Sequence, residues 1–432
     1  DVLKLGYNVY LTGPAGSGKT FLLNKYIAYL KSKNIGVGIT ASTGIAATHL
    51  SGRTIHSWAG LGVQDEITTE HLKKLRRNVK FRLRLTKAKV LIIDEVSMLH
   101  DFRLDMVDTV CRAFKNADLP FGGMQVILSG DFFQLPPVSK RGEDDSFVNT
   151  SQAWQTMDIK ICYVTDQYRQ QDKDYLKLLN CIRDGDITDE AMELLFTRLN
   201  TPLTSAITPT KLYTHNVDVD AINNSELAKI TEPPKTYTMH AVGEPHLVEA
   251  LRGGCLAPRE LVLKPGAVVM FVKNNFDKGY VNGTLGKITG FDPGGWPIVE
   301  TIKNDTIVAS PASWEIVEND VKLAQISQVP LRLAWAITVH KSQGMSLDAV
   351  EIDLSRAFAF GMGYVALSRA KTLEGIKLTG LNDIALEVNK KARVLDKELF
   401  ELSHNVCEDL EAMNLIQIRK LQKDFLKRIA RN

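Results

Sequence analysis

The chain has 432 residues, 44% of them hydrophobic and 24% charged, with a formal net charge of +3. These values fit an ordinary globular protein of roughly two to four domains, and no apolar run nears the ~18 residues of a membrane span. Five scattered cysteines without C-x-x-C spacing argue against a zinc module or a disulfide scaffold, and so small a net charge does not by itself announce a nucleic-acid binder.

Residues 8–12 predict a short buried strand, and residues 20–30 predict a helix with Leu22, Tyr26 and Leu30 on one face. Between them lies GPAGSGKT: Gly13, Pro14, Ala15, Gly16, Ser17, Gly18, Lys19 and Thr20 fit G-x-x-x-x-G-K-[ST] at every position. Such a loop turns its N–H groups onto phosphate oxygens, with the helix dipole adding positive field. Lys19 would reach the outer phosphates, and Thr20 would offer a Mg²⁺ ligand. A nucleoside triphosphate must therefore figure in the function.

Further strands are expected at 36–41, 89–94, 124–129 and 159–165, alternating with helical stretches. That pattern describes an α/β parallel sheet. Thr20, Thr43, Glu95 and Asp131 each follow a strand, so they should meet at the carboxyl edge, where open parallel sheets bind ligands. Asp94 is placed to hold Mg²⁺, and Glu95 to orient or deprotonate an attacking water. Gln134 has the amide needed to sense a γ-phosphate; its alternative is a capped turn before Pro136 and Pro137. Between Lys73 and Lys89 stand nine Lys or Arg and no acid. From Arg419 to Arg431 six cations face Asp424 alone. Each run reads either as a phosphate contact or as a solvated helix face.

A second α/β region begins near 166, with a strand at 211–214. Arg169 and Arg369 in its loops supply cations that could stabilise a transferring phosphoryl group, with surface ion pairs as the alternative. From 236 to 324 the chain is rich in Pro, Gly, Val and Thr, with turn signals at 264–266, 282–283 and 292–295. This predicts a small inserted antiparallel barrel. The α/β pattern resumes at 331–338 and 350–354. The tail from about 391 reads as helix, with Ile418, Leu421, Phe425 and Ile429 on one packing face.

Several segments then resemble, in order, the helicase motifs of superfamily one. They are GPAGSGKT at 13–20, ASTGIAA at 41–47, TIHSWAG at 54–60, DE at 94–95, GDFFQLPPV at 130–138, QYRQ at 167–170, ITVHKSQG at 337–344 and YVALSRA at 364–370. FGGMQVIL at 121–128, with a helix from about Phe102, resembles the signature of the Pif (petite integration frequency) helicases of superfamily 1B. The resemblance implies an α/β protein with two RecA-like parallel-sheet domains, a small inserted β-barrel of Src-homology type and a helical C-terminal segment. Residues 1–60 and 77–165 would form domain 1A, 61–76 the wedge 1B, 166–235 and 325–390 domain 2A, 236–324 domain 2B, and 391–432 the tail.

The same resemblance implies an ATP-dependent helicase moving 5′→3′ on single-stranded DNA. It would act on forked duplex, RNA–DNA hybrid and G-quadruplex substrates, in repair, recombination and telomere maintenance. ATP and Mg²⁺ are the implied cofactors. Lys19, Glu95, Gln134, Arg169 and Arg369 would be catalytic. Tyr168 would stack on adenine, Gly344 would touch the nucleotide, and Thr20 and Asp94 would bind the metal. Thr43, His56, Trp58, Pro136, Thr214, Asn216, His340, Lys341 and Ser342 would touch DNA. Trp58 has the core as its alternative, and Trp335 reads as core. A monomer is expected, away from membranes, cytoplasmic in a bacterium and nuclear or mitochondrial in a eukaryote. The chain begins at Asp1, so a missing targeting signal carries no weight. Family members read adenine with a glutamine just before the first strand, and residues 1–7 contain none. RecD-like and relaxase-linked helicases share most of the motifs, but the 121–138 segment favours the Pif type. A nucleotide-gated DNA-binding protein without catalysis would predict a damaged catalytic set, and this set is intact.

Overall fold

The computed structural model describes residues 1–431 apart from 62–64, 138–145, 171, 204–207, 215–218, 276, 303 and 319–320. Its first layer is a parallel sheet of β1 (Asn8–Thr12), β2 (Val37–Ala41), β3 (Arg53–Thr54), β4 (Val90–Asp94), β5 (Gln125–Ser129) and β6 (Ile159–Tyr163). The spatial order is β3-β2-β4-β5-β1-β6. The five expected strands are all present, within one or two residues of their expected ends. β3 was not anticipated, because two residues leave no alternation to detect.

The parallel register fixes the functional edge. Ala41 pairs with Asp94, Leu11 with Ser129 and Thr12 with Tyr163, so the strands end nearly level. Val90–Asp94 and Gln125–Ser129 are buried throughout, as central strands covered on both faces should be. The helix after the glycine loop spans Lys19–Ser32 and buries Leu23, Tyr26, Ile27 and Leu30. Leu22, expected on that face, is 38% exposed, because the buried stripe lies one residue further round.

The second parallel sheet orders Ala336–Thr338, Thr210–Tyr213, Val350–Leu354 and Ile376–Leu381. Between its first and second strands in sequence lies the β-rich insertion. Its strands are antiparallel, as expected, but they fall into sheets of two, five and three strands rather than one barrel wall. The insertion also contains the helix Pro245–Gly254, which its turn-rich composition hid. The run expected as a single strand over 331–338 divides. Leu331–Leu333 pairs antiparallel with Val268–Phe271, whereas Ala336–Thr338 joins the parallel sheet. Trp335 stands at this junction, partly buried against both cores.

The tail forms two helices, Lys390–Glu411 and Leu415–Arg431. Phe425 and Ile429 are buried beside Leu23, Tyr26 and Leu30, while Ile418 and Leu421 are only partly covered. The insertion touches the first lobe in several places. Gly44 and Gly254 pack backbone to backbone, and a Cβ on Gly44 would lie 2.7 Å from Gly254 Cα. Lys80 on the helix Val79–Lys87 pairs with Glu244. No helix among the described residues is long and apolar enough to cross a membrane.

Candidate active site

The carboxyl edge of the first sheet and the loops of the second enclose a cavity of about 420 Å³. Residues 15–20, Asp94, Glu95, Gln134, Tyr168, Arg169, Gly344 and Arg369 all line it. Residues scattered over 350 positions of sequence therefore meet in one cleft.

The glycine loop owes its shape to Gly13, Gly16 and Gly18, each at positive φ. Gly13 is also held by space, since a Cβ there would lie 2.2 Å from the Val164 carbonyl oxygen. Lys19 Nζ donates to the carbonyls of Gly13 (2.8 Å) and Pro14 (3.0 Å). Burial pulls its pKa below the ordinary lysine value. The Ala15 N–H donates to Tyr364 Oη of the second lobe at 3.0 Å.

Thr20 Oγ1 donates to Asp94 Oδ2 at 3.3 Å, so the hydroxyl and the carboxylate already adjoin. Asp94 is 4% exposed, and burial raises its pKa. Glu95 sits at φ 54°, a left-handed conformation that is unfavourable for a non-glycine residue. Ser42 holds it there by donating its Oγ–H to the Glu95 carbonyl at 2.6 Å. Burial and the adjacent Asp94 carboxylate push Glu95 up to about 7. A carboxyl titrating there is matched to proton transfer near neutrality.

Gln134 is buried and donates to Asp131 Oδ2 at 3.3 Å. Asp131 is fully buried and paired at 2.7 Å with Arg183 Nη1, whose Nη2 reaches Asp396 Oδ1 at 2.8 Å. The Arg183 guanidinium also stacks on Phe133, 4.1 Å from the ring centre. Tyr168 is 70% exposed on the rim, with its backbone N–H bonded to the Gly16 carbonyl at 3.0 Å. Its ring passes 3.6 Å from where a Cβ of Gly18 would stand, an open face that a planar base could cover. Arg169 Nη1 donates to the Ser368 carbonyl at 3.0 Å. Arg369 donates to the Val365 carbonyl (2.8 Å) and to Ser368 Oγ (2.7 Å). Burial and the neighbouring Arg169 push Arg369 down to about 9.

Sequence reasoning missed His49, Asn274, Asn282 and Ser346, which also line the cavity. Asn282 Nδ2 and His49 Nε2 are 3.2 Å apart, and burial drives His49 down to about 4. No motif spacing joins these residues; 233 positions separate the pair.

The expected strand contacts fare unevenly. Thr43 caps the helix Gly44–His49, accepting from the Ala46 N–H, and remains partly open. His56, Pro136 and His340 are partly buried, and Lys341 is exposed. Burial lowers the pKa of both histidines. Trp58 is 3% exposed, with its ring 2.7 Å from the Cβ position that Gly38 leaves free. It packs in the core and cannot stack on a base there. Ser342 is fully buried and spends its hydroxyl on the Val339 carbonyl at 2.7 Å. Thr214 is 6% exposed. Asn216 lies outside the described residues.

A profile of the PIF1-like helicases matches residues 2–193, and one for the 2B domain of DNA helicase Pif1 matches residues 246–291. An ATP-dependent DNA helicase Pif1 from Psychrobacter is 42% identical over 95% of this chain and 72% of its own length. The chain spans about three fifths of the frog and zebrafish relatives that it also matches. A crystal structure of Bacteroides Pif1 with ADP-AlF4 superposes with a TM-score of 0.81 at 31% identity, covering 93% of this chain and 95% of that one. The Bacteroides protein bound to single-stranded DNA gives 0.64 at 31% identity, covering 94% and 96%.

Proposed function

The chain belongs to the PIF1-like helicase family and is an ATP-dependent DNA helicase; on that premise we propose that it moves 5′→3′ along single-stranded DNA and opens forked duplex, RNA–DNA hybrid and G-quadruplex. What chiefly supports this reading is the shared cleft. The glycine loop and the Asp94–Glu95 pair line it from the first sheet and Arg369 from the second, with Arg169 between them, packed on Gly16 and bonded to the Ser368 carbonyl. A triphosphate in such a cleft is gripped from both sides, and its hydrolysis releases the grip. Opening and closing of two lobes is the stroke that a translocating motor requires.

The proposed roles follow from charge and position. Lys19 and the loop N–H groups bind the phosphate tail. Glu95 takes a proton from the attacking water, and Gln134 orients that water. Arg169 and Arg369 stabilise the charge that spreads over the γ-phosphoryl oxygens. Tyr168 covers the adenine, with Gly344 alongside. Thr20 and Asp94 offer hard oxygen donors 3.3 Å apart, which suits Mg²⁺. Held there beside the nucleotide, the ion would neutralise charge on the terminal phosphates. Thr43, His56, Pro136, His340 and Lys341 are the proposed strand contacts.

Strand displacement on forked DNA with a single 5′ or 3′ tail tests activity and direction together. Unwinding of the 5′-tailed fork alone, dependent on ATP, is expected. Preference for the 3′ tail would reverse the assigned direction, and no displacement of either would remove the motor reading.

A further inference from the structure

Gln343 has no role in the assignment above, yet its amide joins the two lobes beside the reacting groups. It is 8% exposed and stands in the turn after Ala336–Thr338 of the second sheet. Its Nε2 donates to Glu95 Oε2 at 3.2 Å and to Gln134 Oε1 at 3.4 Å, both on the first lobe. Gln134 in turn donates to Asp131, which Arg183 anchors. One side chain thus fixes the orientation of both groups proposed to handle the attacking water. Held through Oε2, Glu95 keeps its other oxygen for a proton.

The same turn carries His340 and Lys341, two of the proposed strand contacts. It is tightly knit. The Lys341 N–H donates to Thr338 Oγ1 at 3.2 Å, the Ser342 N–H to the Thr338 carbonyl at 3.0 Å, and the Met345 N–H to the Ser342 carbonyl at 3.0 Å. Ser342, fully buried, pins the centre through its bond to Val339. A turn braced in this way moves as a unit, so a shift imposed at His340 or Lys341 carries Gln343 with it. A misplacement of about 1 Å at a reacting group is enough to change a rate ~100-fold.

We propose that Gln343 is the positioning residue through which a DNA strand held at His340 and Lys341 aligns Glu95 and Gln134 for ATP hydrolysis. The proposal rests on the helicase reading and adds the contact by which DNA stimulates turnover. It differs from direct catalysis, because Gln343 does not line the nucleotide cavity and acts through two residues that do.

The test uses the full chain with Gln343→Ala and the near-isosteric Gln343→Met, which fills much the same space, carries no charge and cannot donate. ATP turnover is measured with and without a saturating oligothymidylate, together with KM for ATP and the Kd of the oligonucleotide by fluorescence anisotropy. DNA-stimulated kcat should fall by about 10- to 100-fold in both variants. KM and Kd should stay within about two-fold, so the ratio of stimulated to unstimulated rates approaches one. A ratio kept at the wild-type level in either variant overturns the proposal, as does an equal fall in both rates. If the alanine variant melts early, the methionine variant decides. Glu95→Gln run alongside separates the two readings: wild-type turnover in that variant sinks Glu95 as the base, whatever Gln343 does.

Discussion

Replacing Arg369 with methionine should make the ligand-free protein more stable while nearly abolishing ATP turnover. Arg369 is 1% exposed, and its hydrogen bonds run to two neutral oxygens, the Val365 carbonyl and Ser368 Oγ. Desolvation and Arg169 lower its pKa from the ordinary 12.5 to about 9. At 1.36 kcal/mol per unit, that shift corresponds to roughly 5 kcal/mol of penalty on the charged form. Arginine does not give up its proton at working pH, so the fold carries the penalty instead of relieving it by titration. Losing two hydrogen bonds takes back about 1 kcal/mol each. The variant should therefore gain on the order of 1–3 kcal/mol, within the range seen when buried charges give way to apolar residues. Urea denaturation reads this as a higher midpoint at unchanged slope. DNA-stimulated kcat should drop ~1,000-fold or more if the guanidinium meets the γ-phosphoryl group. A variant that unfolds at lower urea, or turns over within ten-fold of wild type, would refute this reasoning.

Three further outcomes follow from the same geometry. His49 has its folded pKa at about 4, below the ordinary 6.5, so the unfolded chain binds the extra proton first. Its contribution is complete above pH 6.5 and fades as pH falls towards 4; His49→Gln should flatten that acid limb by about 3 kcal/mol in pH-dependent denaturation. Arg183→Met leaves Asp131 buried without its partner and should destabilise by about 3–5 kcal/mol, whereas adding Asp131→Asn should restore much of the loss. Equal instability of the single and double variants would show that the pair is not the source. Neutralising Lys73, Lys74, Arg76 and Arg77 together should lower the salt slope of single-strand binding by about 0.7 for each phosphate contact removed, and an unchanged slope would make that surface merely solvated.

What could be read from the sequence was what lies close together along it. The glycine loop, the acids at the end of β4 and the strand ends are local patterns, and the parallel register brings them to one edge without further information. The pairing of His49 with Asn282 depends on how the insertion folds back onto the first lobe, and no local pattern encodes that. Gln343 lay inside a segment already singled out, but its partners Glu95 and Gln134 are 248 and 209 positions away. Trp58 shows the opposite failure. An aromatic beside a strand-contact motif suggests stacking, whereas Gly38 beneath it makes a socket that draws the indole into the core. Ser342 likewise had the right chemistry for a phosphate but spends its hydroxyl inside its own turn.

Gly44 and Gly254 touch with no side chains between them, and a Cβ on Gly254 would fall 2.5 Å from the Gly44 carbonyl oxygen. Two bare backbones approach here more closely than any side chains would allow, and Thr48 Oγ1 donates to the Gly254 carbonyl at 3.4 Å, so the joint is a clasp between the insertion and the first lobe. A single methyl at either glycine would act as a shim, prising the clasp apart. His49 and Asn282 face each other across the same seam, so the shim would also set how widely the nucleotide pocket gapes.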